Sequence, residues 1–151
     1  MDNLLSAYRE VFPGTSIAIT TDLKAALENG DVPRIINELN AVIASLPYEH
    51  WRADSESIFH IIIHLTLKVI GLDVFNEVHS SKGRADVIVK TKLYIYVLEL
   101  KLDAPASAAL AQIFEKGYLQ PYIGDERKKI AIGIEFSSNQ RKIADYHVKE
   151  L

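Results

Sequence analysis

The stretch "ADVIVKTKLYIYVLELK", from Ala85 to Lys101, reads as two strands around a short polar turn, yet three charged residues, Asp86, Glu99 and Lys101, stand where a plain core strand would carry apolar ones. Side chains alternate across a strand, so Glu99 and Lys101 share a face with Ile95 and Val97 and stand about 7 Å apart. A turn near residues 91–93 brings Asp86 opposite the region around 98–100. Two carboxylates that close repel unless a cation sits between them. Mg²⁺ or Mn²⁺ meets that need, because hard cations take oxygen ligands from one or two carboxylates, water and substrate phosphate. The Leu100 carbonyl is a further oxygen. Lys101 would then orient water and stabilise charge on a phosphate. The chemistry expected is metal-dependent phosphodiester hydrolysis.

These strands need a body around them. The chain has 151 residues, 48% hydrophobic and 25% charged, enough for one core. It has no cysteine, which excludes disulfides and thiolate metal sites and points to a cytoplasmic setting. The first residues carry acids early and show no signal-peptide pattern. The longest apolar stretch, "IFHIIIHLTLKVIG", is too short and too polar for a membrane span, so no membrane partner is expected. Net charge is −3, which speaks against a strong nonspecific nucleic-acid binder. Residues 1–80 hold 5 Lys/Arg against 11 Asp/Glu, while residues 81–151 hold 12 against 9. The basic excess thus lies in the half with the charged triad.

Residues 1–47 read as a helical extension. "TDLKAALENGD" has a Thr start and a Gly stop. In "DVPRIINELNAVIASLP", Asp31 is the cap candidate and Pro33 sits in the first turn. Ile35, Ile36, Leu39, Val42, Ile43 and Leu46 form its packing stripe. From 48 to 151 the pattern predicts a second unit. It begins with a helix from Asp54 to Ile70, followed by strands near 72–79, 84–90 and 94–101. A helix over "DAPASAALAQIFEKGYLQPY" comes next, then a doubly covered strand "KKIAIGIEFS" and an edge strand in "RKIADYHVKEL".

Together, "GRADVIVKTKLYIYVLELKLD" and "ALAQIFEKGYLQPY" resemble the PD-(D/E)XK nuclease superfamily. The narrower resemblance is to the branch found C-terminal to an AAA-ATPase-like domain in bacterial proteins. The resemblance implies an α/β, restriction-endonuclease-like fold: a mixed central sheet flanked by helices, with the N-terminal helical extension before it. It implies Asp86, Glu99, Lys101 and Gln112 as catalytic residues, with Ala85 where the family's proline would stand. Asp86, Glu99 and the helix-borne Glu56 are the implied metal ligands. Lys116, Tyr118 and Arg84 are candidates for the substrate side. The implied partners are nucleic acid, with DNA ahead of RNA, and an ATPase-like fused or partner domain; a homo-oligomer stays open. No G-x-x-x-x-G-K-[ST] occurs in the chain. The rival reading is a non-catalytic interaction module on the same fold.

Other candidates are weaker. His60 and His64 share a helical face with Glu56, but the zinc motif H-E-x-x-H is absent. Lys82, Arg84, Lys90 and Lys92, and the run Arg127, Lys128 and Lys129, suit solvated strand ends or the steering of a phosphate backbone. Trp51 and the tyrosines are too scattered for a base-stacking platform.

Overall fold

The computed structural model describes residues 17–45, 56–70, 73–76, 79–80, 83–84 and 87–151. Helices α1 (Ile17–Asn29) and α2 (Val32–Ala44) come first, then α3 (Glu56–Val69). Strands β1 (Asp73–Asn76), β2 (His79–Ser80), β3 (Gly83–Arg84), β4 (Val87–Lys90) and β5 (Tyr94–Leu102) follow. Helix α4 (Ala106–Glu115), a 3-10 turn at Gln120–Tyr122, β6 (Lys128–Ser137) and β7 (Lys142–Glu150) complete the order. A five-stranded sheet has the order β1-β4-β5-β6-β7, and β2 and β3 form a small separate hairpin. β5 and β6 are parallel, joined through α4, and the other pairings in the large sheet are antiparallel. This is the mixed, helix-flanked α/β sheet that the sequence predicts.

The elements start and stop where local chemistry requires. Asp31 caps α2, accepting from Arg34 N, and Pro33 lies in the first turn. Five of the six stripe residues, Ile35 to Ile43, are buried, and Leu46 lies outside the described residues. Two expectations change. Of the strand read at 72–79, residues 73–76 form β1 of the main sheet and His79 belongs to β2. Of that read at 84–90, Arg84 belongs to β3, which pairs with β2, and residues 87–90 form β4 of the main sheet, while 77–78 and 85–86 lie outside the described residues. The helix read through to Tyr122 ends at Glu115. Gly117, at φ +65°, closes it: Gly117 N donates to Phe114 O and Tyr118 N to Ile113 O. That pair of bonds is the Schellman arrangement, which favours glycine in the left-handed position.

The sheet is covered on both faces. Behind it, α1, α2 and α3 bury Leu23, Leu39, Phe59 and Ile63 against Tyr96, Leu98, Leu100, Ile132, Ile134 and Phe136. Phe59 stacks on Phe136 with ring centres 4.2 Å apart. The Tyr96 hydroxyl donates to Leu27 O at 2.5 Å, and burial pushes its pKa far up. The helical extension is therefore part of the same core as the sheet. In front, α4 packs on Ile88, Ile95, Val97 and Ala131. A β-carbon on Gly133 would run into Ala106 O and Leu110 N, so glycine lets α4 press onto β6 there. Among the described residues no helix is long and apolar enough to cross a membrane.

Candidate active site

β5 carries the site on its front face. Ile95 and Val97 are fully buried under α4, and Glu99 is next on that face at 3% exposure. A buried carboxylate is expensive unless polar groups hold it. Gln112 of α4 does so: its Nε2 donates to Glu99 Oε1 at 2.7 Å. The same amide nitrogen donates to Tyr118 Oη at 3.2 Å, which uses both of its hydrogens. The close approach at Gly133 places α4 within reach, because Gly133 is the register partner of Glu99 on β6. The turn at Gly117 then folds Tyr118 back beneath Gln112. Tyr118 is 4% exposed and belongs to the front core, so it meets the site from within.

Lys101 follows Glu99 on the same face and is partly exposed, at the mouth of the site. Its register partner on β6 is Glu135, and Glu135 is in turn paired with Asp145 on β7. The front face thus turns from apolar to charged along one line across three strands. Sequence reasoning passed over Glu135, although the signal was there: it breaks the apolar run "IAIGIEFS" much as Glu99 breaks "YIYVLELK".

The remaining candidates fall out as follows. Asp86 lies outside the described residues; β4 begins at Val87, which pairs with Leu98. Glu56 opens α3, and Arg84 pairs with His79 in the small hairpin, but their side chains lie outside the described ones. Lys116 is the C-cap residue of α4 and is exposed. Among the described residues no group of three His, Cys, Asp or Glu is arranged to hold a metal ion. His60 and His64 lie on α3 among the elements behind the sheet. Burial, and then Lys68, hold the His64 pKa below its ordinary value.

The basic residues near the β4–β5 turn are largely engaged by the protein itself. Arg127 binds Asp125 through Nε and Nη2, at 3.0 and 2.7 Å, and donates to Thr91 O. Those bonds hold the Asp125 carboxyl well below the usual range. Lys128 pairs with Glu150 at 3.0 Å, and Lys90 lies over the Tyr122 ring. An open recess of about 420 Å³, lined by Lys92, Tyr94 and Arg127, lies at this end of the sheet, where β5 begins and away from Glu99.

A family profile described as the PD-(D/E)XK nuclease superfamily matches residues 54–146. A curated protein of Azotobacter chroococcum mcd 1, called "Uncharacterized protein in vnfD 5'region", is 29% identical over 145 residues. The match takes in 92% of this chain and 28% of that protein's length. No solved structure matches the chain.

Proposed function

This chain belongs to the PD-(D/E)XK nuclease superfamily, and from that membership we propose that it hydrolyses phosphodiesters in nucleic acid, DNA in the first instance, with Mg²⁺ or Mn²⁺. The observation that carries the reading is Glu99: a carboxylate buried mid-strand, gripped by Gln112, with Lys101 next on its face. An apolar residue would serve packing better at that position, because replacing buried charge with hydrophobic side chains is often neutral or stabilising.

The donor set suits a hard cation. It consists of carboxylate oxygens, and the chain has no thiol. Asp86 and Glu99 would hold the ion, with Glu56 as a further ligand. A bound Mg²⁺ or Mn²⁺ supplies Lewis-acid polarisation of the phosphate and acidifies water. Gln112 keeps Glu99 in one rotamer, and Tyr118 keeps Gln112 in place from below. Lys101 directs its ammonium to the attacking water and to charge gathering on the phosphate oxygens. Lys116 and Arg84 would take flanking phosphates.

The competing reading is an interaction module serving an ATPase-like partner or fused domain. The net charge of −3 favours it, as does the pairing of Arg127 and Lys128 with the chain's own acids. Cleavage of plasmid, single-stranded DNA and RNA in Mg²⁺ and in Mn²⁺ separates the two, with Asp86→Ala as the blank. Metal-dependent cleavage by wild type alone supports the nuclease. Wild type no faster than the blank on every substrate makes the interaction module the better account.

A further inference from the structure

β7 is the last strand of the sheet, and among the described residues no strand covers its outer side. Its hydrogen-bonding phase is visible at one end: Leu151 N donates to Lys129 O at 2.8 Å, and Lys129 N to Leu151 O at 3.4 Å. In an antiparallel ladder such pairs alternate with pairs that do not bond across. Lys149, His147 and Asp145 therefore bond inward to β6. Tyr146, Val148 and Glu150 direct their N–H and C=O groups outward.

The two halves of this edge are treated differently. Near its start, a bulge beside Glu135 and Phe136 shifts the register. There Asn40 of α2 stands in for a neighbouring strand: its Oδ1 accepts from Ile143 N at 2.8 Å and its Nδ2 donates to Ile143 O at 3.3 Å. Bulges and covering groups of this kind block edge pairing. The half from Asp145 onward has no covering element among the described residues, and one of its donors is met locally: Tyr146 N donates to Asp145 Oδ1 at 2.9 Å, with His147 Nε2 3.5 Å from Asp145 Oδ2. It also exposes apolar surface, with Val148 at 39%, Leu151 at 53% and the nearby Phe114 at 39%.

We propose that the open half of β7 pairs antiparallel with β7 of a second copy of this chain, about a two-fold axis at His147. The sequence Asp145-Tyr146-His147-Val148-Lys149 complements its own reverse. On the front face, Asp145 of each copy comes opposite Lys149 of the other. On the back face, Tyr146 comes opposite Val148, and these two residues exchange the outward main-chain bonds, Tyr146 N giving up its local bond to Asp145 Oδ1 as that carboxylate turns to Lys149. Neighbouring registers fit worse. Centring on Val148 sets His147 against Lys149. Centring on Tyr146 draws in Ile143, whose main chain Asn40 already occupies. Antiparallel edge pairing joins the two sheets into one and turns both Glu99 faces to the same side. The partner is another copy because the charges match in that arrangement. A short edge contact falls below the roughly 1,000 Å² of a stable complex, so the dimer is weak and concentration-dependent.

Sedimentation velocity on the full chain, from about 5 to about 500 µM to span such a weak association, tests this without reference to catalysis. Wild type should pass from monomer to dimer across that range. Val148→Pro removes an outward donor that β6 does not use, so it should leave the chain folded by circular dichroism and monomeric throughout. Asp145→Lys should weaken the dimer about tenfold or more, since facing charges at interfaces couple strongly. Adding Lys149→Asp should restore it, which also covers the case in which the proline variant misfolds. A wild type that stays monomeric overturns the proposal. So does a dimer indifferent to Val148→Pro, or a charge swap that gives no rescue.

Discussion

The two faces of the central sheet are built from the same strands and do different work. Behind, β5 presents Tyr94, Tyr96, Leu98, Leu100 and Leu102, and β6 presents Ile130, Ile132, Ile134 and Phe136; this side packs on three helices along its whole length. In front, β5 runs Ile95, Val97, Glu99, Lys101, and β6 runs Lys129, Ala131, Gly133, Glu135. The front residues on β6 are small where α4 crosses and charged beyond it. Large side chains behind fill space, whereas small ones in front let a helix come close enough to hold a carboxylate. Stability is concentrated on one face and candidate chemistry on the other, so substitutions on the two should separate cleanly.

The largest loss of stability should come from behind. Phe136→Ala removes a fully buried ring stacked on Phe59, and such truncations cost about 3–5 kcal/mol. Urea unfolding should show a lower midpoint, while cleavage per folded molecule stays near wild type. A large loss of activity in the fraction that remains folded would break the division.

Next in size is Lys101→Met on the front. It keeps most of the stem, so stability should change by no more than about 0.5 kcal/mol, as for ordinary surface positions. Cleavage should fall by about 10²-fold or more, the scale of losing one electrostatic stabiliser. Cleavage at the wild-type rate would remove Lys101 from the mechanism.

Gln112→Ala sharpens the front face further. It deprives Glu99 of the 2.7 Å bond and Tyr118 of its link to the site. Supporting residues around a metal ligand typically carry about 10- to 100-fold in affinity. Calorimetry with Mn²⁺ should therefore show at least the lower loss, and Asp86→Ala should show the greater one. Unchanged affinity in Gln112→Ala would mean that Glu99 needs no support.

The smallest effect concerns pH and α3. The His64 pKa is lower in the folded chain than the ordinary 6.5, because burial and Lys68 disfavour its charge. The unfolded chain then binds the proton more readily. This contribution to stability is complete above about pH 6.5 and declines as pH falls through the folded value. His64→Gln should flatten that part of the stability profile. An unchanged profile would place the pH response elsewhere.

Much of the local design could be read directly. The stripe on α2, its Asp31 cap, the strand faces of β5 and the doubly buried β6 all follow from periodicity and capping. The strands around residues 72–90 were harder. Short segments that mix apolar and polar residues fit the main sheet or a separate small pairing equally well by pattern, and pairing partners decide between them. The expected helix overruns the end of α4 because the alanines up to Ala111 set a helical pattern that propensity alone does not stop, while a single left-handed glycine, Gly117, ends it.

For the site, the sequence alone determined that Glu99 and Lys101 share a face, since alternation along a strand is covalent geometry. It also marked Glu99 as costly, because an acid within an apolar strand needs a reason. Only the tertiary structure decided which groups answer that cost. The parallel pairing of β5 with β6 set Gly133 beside Glu99 and Glu135 beside Lys101, and the crossover through α4 brought Gln112 to the carboxylate. Those neighbours are separated along the chain by loop and helix, and their register depends on the packing of the whole sheet. Side-chain spacing within one element carries no record of it.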